Sequence, residues 1–227
     1  MQLNGIEYAD ILKALKKSGF PQKMITDDHS EKCWVIRHDI DNHIQRAQAM
    51  ALQESAHGVR STYYLLDYDS GIPEENNYFY KEESKRLYQD IQECSHHIGW
   101  HNNAITHWLK EPFDSLHSYI EKPIEYLRSL GIEVLSTASH GDRLCREHNY
   151  VNYEVWKSFE KKSILAHERY NLLDFGLMTE AYLMKRSHYL SDSGGVFNYE
   201  DPIAYIKTWA AHGKGNLQLL IHSQWWE

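Results

Sequence analysis

Four times along this chain, a strand-length run of apolar and β-branched residues ends in a cluster of ionisable or amide side chains. Cys33-Trp34-Val35-Ile36 runs into Arg37-His38-Asp39-Ile40-Asp41, and a short run before residue 101 ends in His101-Asn102-Asn103. Ile132 to Ser139 runs on into His140-Gly141-Asp142-Arg143, and Leu217-Gln218-Leu219-Leu220-Ile221 into His222-Ser223-Gln224-Trp225-Trp226. Segments with apolar residues at helical spacing lie between them. Strands alternating with helices predict a mainly parallel sheet with helices outside. Burial on both faces explains why the strand runs are apolar almost throughout.

The expected elements follow from these periods. An N-terminal helix is expected at about 5–18, with Gly19 as its C-terminal cap. Strands are expected at 33–39, 61–66, 96–100, 132–139, 176–183, 187–191 and 216–222, and helices at 43–57, 78–94, 113–130 and 201–212. A polar loop is expected at 67–76 and a short helix near 152–158. Pro123 lies inside the 113–130 helix and is expected to kink or split it. No repeat, low-complexity tract or linker divides the chain, so its 227 residues read as a single domain. The fold class is α/β, and about seven strands would close into a distorted barrel.

A net charge of −8, with basic residues clustered no further than pairs such as Lys161-Lys162, argues against nucleic-acid binding. Cys33, Cys94 and Cys145 are widely spaced and odd in number, which argues against a disulfide framework. No basic start followed by an apolar run marks a signal peptide, and no stretch approaches the roughly 18 apolar residues of a membrane helix. The expectation is a soluble cytoplasmic protein. Seven tryptophans and sixteen tyrosines suit either a sugar-binding cleft or an aromatic core.

Side chains alternate along a strand, so Asp39 and Asp41 point the same way. Two carboxylates on one face repel unless a cation or a shared proton compensates. A divalent metal ion does this economically, with His101 and His140 as nitrogen donors. One carboxylate then binds the ion, and the other stands beside an activated water as general base. Zinc suits a mixed His/Asp set. Each residue alone has a plainer reading: Asp41 as a helix cap, His101 as a buried core histidine, His140-Gly141 as a turn. What separates the readings is that the clusters sit at the carboxyl ends of successive strands, where parallel α/β folds place their ligands. His96 and His97 read as structural, and His107 as a reserve ligand in a loop.

The stretches VIRHDID, STYYLL, HHIGWHNN, ASHG and LLIHSQWW resemble, in order and spacing, a divergent branch of the polysaccharide deacetylases, carbohydrate esterase family four. The resemblance spans roughly residues 30 to 227. It implies a distorted (β/α) barrel that removes an N- or O-acyl group, commonly acetyl, with one divalent metal, often zinc. It implies Asp39 as general base, Asp41 and His101 as metal ligands, and His222 as the acid that protonates the leaving amine. The sequence departs from the family at two points. Ile105 stands where a second metal histidine is usual, and Ser139-His140-Gly141 replaces an Arg-Pro motif. His140 is therefore the expected third ligand, with His107 the alternative, and Arg37 replaces the missing arginine in orienting Asp39. Glu180, Tyr182 and Asp192 are candidates for shaping the pocket. The implied substrate is an acylated sugar or sugar nucleotide of surface-polysaccharide synthesis. Rival expectations are a hydrolase of small cyclic or linear amides and a non-catalytic carbohydrate-binding protein.

Overall fold

Every residue of the strand Trp34–Ile40 is buried, so this strand has protein on both faces. It is the third strand, β3, of a chain whose computed structural model describes residues 1–69, 71, 77–111, 115–161 and 168–227. The order is β1 (Gln2–Leu3), β2 (Ile6–Glu7), α1 (Tyr8–Lys17), β3, α2 (Ile44–Ala56), β4 (Thr62–Leu66), α3 (Glu82–Glu93) and β5 (His97–Asn102). There follow α4 (Ala104–Lys110), α5 (Leu116–Ser129), β6 (Val134–Ser139), α6 (Arg143–Glu147), β7 (Thr179–Glu180), β8 (His188–Ser191), α7 (Pro202–His212) and β9 (Leu217–Ile221). Parts of the expected loop at 67–76, the start of the helix expected at 113, and Lys162 lie outside the described residues.

Seven strands form one parallel sheet in the order β7-β6-β5-β4-β3-β9-β8. The sheet curls into a half-barrel with helices around it, as a distorted α/β barrel requires. Alternation along the strands sorts the core into three parts. Outward residues of β3 to β6, such as Ile40, Leu65 and Trp100, pack with α2 to α5. Trp34, Ile36, Leu219 and Ile221 pack against α1 and α7. Inside the curve, Val35, Tyr64 and Ala138 meet Ile25, Ala181 and Met184. Gly99 makes this inner packing possible, because a Cβ there would stand 2.5 Å from the Tyr64 ring and 2.6 Å from the Ser136 carbonyl. Most of the aromatic surplus is core: Trp100, Trp156, Trp209 and Trp226 are fully buried.

The outward side chain His38 leads into a buried polar cluster. Its Nε2 lies 2.8 Å from Glu54 of α2, and the same carboxylate accepts hydrogen bonds from the Tyr63 hydroxyl at 2.7 Å and from Tyr8. Burial raises the Glu54 pKa, but His38, His96 and Tyr8 outweigh it and hold the carboxyl at about 2. His96 is structural, as expected: Nε2 donates to the Ala51 carbonyl, and Nδ1 accepts from the Ser61 amide.

Some boundaries differ from expectation for identifiable reasons. The N-terminal helix begins at Tyr8, not residue 5. Asn4 and Gly5 both have positive φ and close a two-residue hairpin between β1 and β2, the chemistry an Asn-Gly pair favours. Pro123 neither ends nor splits α5, whose residues Leu116, Ile120, Ile124 and Leu127 are anchored in the core on both sides of it. The strand expected at 176–183 pairs only at Thr179–Glu180. Gly176 adopts a left-handed turn before it, and the Glu180 carboxylate accepts from the Tyr182 amide to open a 3-10 turn after it. No helix among the described residues is long and apolar enough to cross a membrane.

Glu54→Ala would leave His38, Tyr8 and Tyr63 with buried donors and no acceptor. The expected loss is about 3–5 kcal/mol of unfolding free energy in urea titration. Because the folded Glu54 pKa is depressed, its stabilisation is complete above about pH 4.5 and fades as pH falls towards 2. The difference between wild type and variant should therefore shrink across that window.

Candidate metal centre and acid–base pair

The polar strand ends converge. Asp39 lies within β3 and Asp41 directly after it, His101 lies within β5, and His140 follows β6. The β5–β6 register pairs His101 with Ala138 and Asn102 with Ser139. The His140 amide donates to the Asn102 carbonyl at 2.8 Å, continuing the ladder one residue further. The two imidazoles therefore stand side by side, 5.1 Å between ring centres.

Asp41, His101 and His140 form a cluster in which one donor atom from each lies within 4.8 Å of the others. His101 Nε2 is 3.5 Å from Asp41 Oδ1 and 3.7 Å from Asp39 Oδ2, and His140 Nε2 is 3.7 Å from Asp41 Oδ1. Metal–ligand bonds of about 2.1 Å in a tetrahedral set place donors about 3.4 Å apart, close to these separations. The chemistry of the donors fits as well. His101 Nδ1 donates to the Ala138 carbonyl at 2.8 Å, which leaves a lone pair on Nε2 in the neutral ring. Asp41 Oδ1 and Asp39 Oδ1 are buried and make no hydrogen bond among the described residues. Lone pairs thus face one another around a common point, an arrangement that a cation relieves.

The pKa shifts follow from this crowding. Burial raises Asp41, but His101, His140 and His222 overcome it and hold the carboxyl well below the usual range. Burial lowers His101, yet Asp39 and Asp41 raise it overall. His140, further from Asp39, is lowered by burial, which favours its neutral form with a lone pair to offer.

Arg37 sits where the sequence implies, its Nη2 3.3 Å from Asp39 Oδ2, while Asp39 Oδ1 carries no partner. The guanidinium is fully buried and lies 4.7 Å from the centre of the Tyr182 ring. His222 follows β9 and is held by Asp192, which follows β8. The His222 Nδ1 is 2.7 Å from Asp192 Oδ1, and the same carboxylate accepts from the His222 amide and from Trp226 Nε1 at 2.8 Å. Burial lowers the His222 pKa, but Asp192 first, then Asp39 and Asp41, raise it overall.

Asp41 does not cap α2, whose N-terminal cap position is His43, with φ 53°. His107 does not join the cluster. It lies on α4, not in a loop, with its ring stacked 3.8 Å from that of Tyr68. Ile105 is fully buried in the outer core. Three more groups hold the site in place: Glu180, read from sequence only as a pocket-shaping candidate, and Asn152 and Gln224, which the sequence did not single out. Glu180 accepts from the Ser139 amide at 2.8 Å and is raised to about 7 by burial. Asn152 donates to the His140 carbonyl at 2.9 Å and accepts from the Ile105 and Thr106 amides at 3.1 Å. Gln224 Nε2 donates to Asp41 Oδ2 at 3.2 Å. The cluster at 222–226 was visible, but its partners 30 and 183 residues away were not.

The chain matches no protein-family model and no curated protein sequence. The chemistry of the site is therefore argued from its own geometry.

Asp192→Asn removes the charge that favours protonated His222. The imidazole should titrate at lower pH than in the wild type, followed by NMR; an unchanged titration would mean that Asp192 only packs. Because the folded His222 pKa is raised, the stability it contributes is complete below the unfolded value and is lost as pH rises through the folded one.

Proposed function

We propose that this protein is a metal-dependent hydrolase that removes an acyl group, acetyl in the simplest case, from the amide of a sugar or nucleotide-linked sugar. The observation that carries the reading is the pairing of two oriented groups beside one three-donor cluster: Asp39 held by Arg37, and His222 held by Asp192.

Asp41, His101 and His140 would hold the ion, and zinc suits two imidazoles and one carboxylate best, with cobalt, nickel and iron as competitors. When bound, the ion supplies the positive charge that polarises the acyl carbonyl and acidifies water. Asp39 accepts the proton of the attacking water on Oδ1, the oxygen that Arg37 leaves free. Arg37 keeps the carboxylate aligned through the ion pair at 3.3 Å. Asp192, Asp39 and Asp41 all favour the cationic form of His222, the form that has a proton to give. With Nδ1 committed to Asp192, Nε2 is the nitrogen that gives its proton to the leaving amine. Amide hydrolysis needs such an acid, since an amine leaves only as the neutral species. A purely carbohydrate-binding protein has no use for this acid–base pair.

Two variants test the reading. Asp41→Ala should abolish stoichiometric metal binding, measured by elemental analysis of purified protein. Asp39→Asn should retain metal but lower kcat by about 10²–10⁴-fold on the substrate found by screening N-acetylated sugars and sugar nucleotides against small amides. Unimpaired turnover by Asp39→Asn would sink the proposed base. Turnover confined to small amides would keep the chemistry and overturn the sugar.

A further inference from the structure

Gln224 sits in the turn that follows β9, two residues beyond His222 and on the far side of the sheet order from the histidine ligands. Its Nε2 lies 3.2 Å from Asp41 Oδ2. The amide orientation is chemically fixed, because a carboxylate oxygen accepts and only the amide nitrogen donates. This pose leaves Gln224 Oε1 buried without a hydrogen bond among the described residues. Leaving a buried acceptor unsatisfied costs free energy, so the contact to Asp41 has to offset a penalty that a solvent-facing side chain would escape. The turn is held from outside as well. Arg46 of α2 donates to the Gln224 carbonyl at 2.6 Å, and Trp226, two residues on, is tied to Asp192.

We infer that Gln224 is a positioning residue that restricts Asp41 to one-oxygen coordination, and so keeps a coordination position open for substrate and water. The inference rests on the metal reading above. Asp41 offers two oxygens with different surroundings. Oδ2 is occupied by the Gln224 amide, whereas Oδ1 accepts no hydrogen bond among the described residues and stands 3.5 and 3.7 Å from the two histidine Nε2 atoms. One oxygen and two nitrogens make three protein donors, the number that leaves a catalytic tetrahedral site one open place. Freed from Gln224, the carboxylate can rotate and engage both oxygens, filling that place. Hydrogen bonds to metal-binding carboxylates fix their orientation, and their loss typically costs 10–100-fold in affinity or activity.

The test is titration of the metal-free protein with Co²⁺, whose visible absorption reports coordination number and whose saturation gives Kd. Gln224→Met, similar in length but lacking the donor, should weaken Co²⁺ binding by about 10-fold or more and reduce the intensity of the visible bands, as five- or six-coordinate cobalt absorbs less than four-coordinate. Arg46→Met, which releases the turn without touching Asp41, should move both readouts the same way by a smaller amount. Melting curves of the metal-free proteins separate these effects from unfolding. Wild-type binding that both variants reproduce in Kd and spectrum overturns the inference and leaves the metal reading intact. Failure of the wild type itself to bind Co²⁺ overturns the metal reading and the inference with it.

Discussion

The alternation of side chains along β3 is the constraint on which the rest of the structure depends. In four residues the strand sends Arg37 inward, His38 outward, Asp39 inward and Ile40 outward. The outward imidazole is locked to Glu54 on α2, and the inward carboxylate to Arg37 two residues before it. A slip of one residue would put Asp39 among the helices and His38 at the site. The buried Glu54 cluster therefore does more than satisfy its own hydrogen bonds, since it holds the central strand at one register and so sets where both aspartates emerge.

The site is built from unsatisfied acceptors, which is the opposite of how a stable interior is arranged. Asp39 Oδ1, Asp41 Oδ1 and Gln224 Oε1 are all buried and accept no hydrogen bond among the described residues. Other buried carboxylates are bonded through both oxygens: Asp192 accepts from His222 and Trp226, and Asp67 from Trp100 and Tyr119. The contrast separates two kinds of buried carboxylate. Those that position other groups are fully bonded. Those that face the cluster keep lone pairs for a cation or a proton. The clefts of about 410 and 500 Å³ beside His29 and Lys185 open at the other end of the sheet, where strands begin, and border none of these side chains.

That His140 stands in the cluster and Ile105 does not follows from the same geometry. Ile105 on α4 is committed to the outer core, so that position cannot also serve the site. His140 reaches the cluster because the β5–β6 ladder continues past the strand proper, and Asn152 clamps its carbonyl from the 3-10 turn Asn152–Val155, where the sequence predicted a short helix but no role. The N-terminal hairpin was legible in Asn4-Gly5, but the helical spacing of Ile6, Ile11 and Leu15 masked it. The intact α5 was not legible, because proline's local cost is visible in sequence and the packing that overrides it is not.

The alternation of strands with helices, the two-sided burial of β3 and the shared face of Asp39 and Asp41 were determined by the sequence alone. Each is a matter of periodicity, and periodicity is local. Which histidine joins Asp41, which carboxylate holds His222, and which amide occupies Asp41 Oδ2 were decided only by the tertiary structure. Those contacts join side chains from different strand ends, and only the curl and register of the folded sheet set their distances.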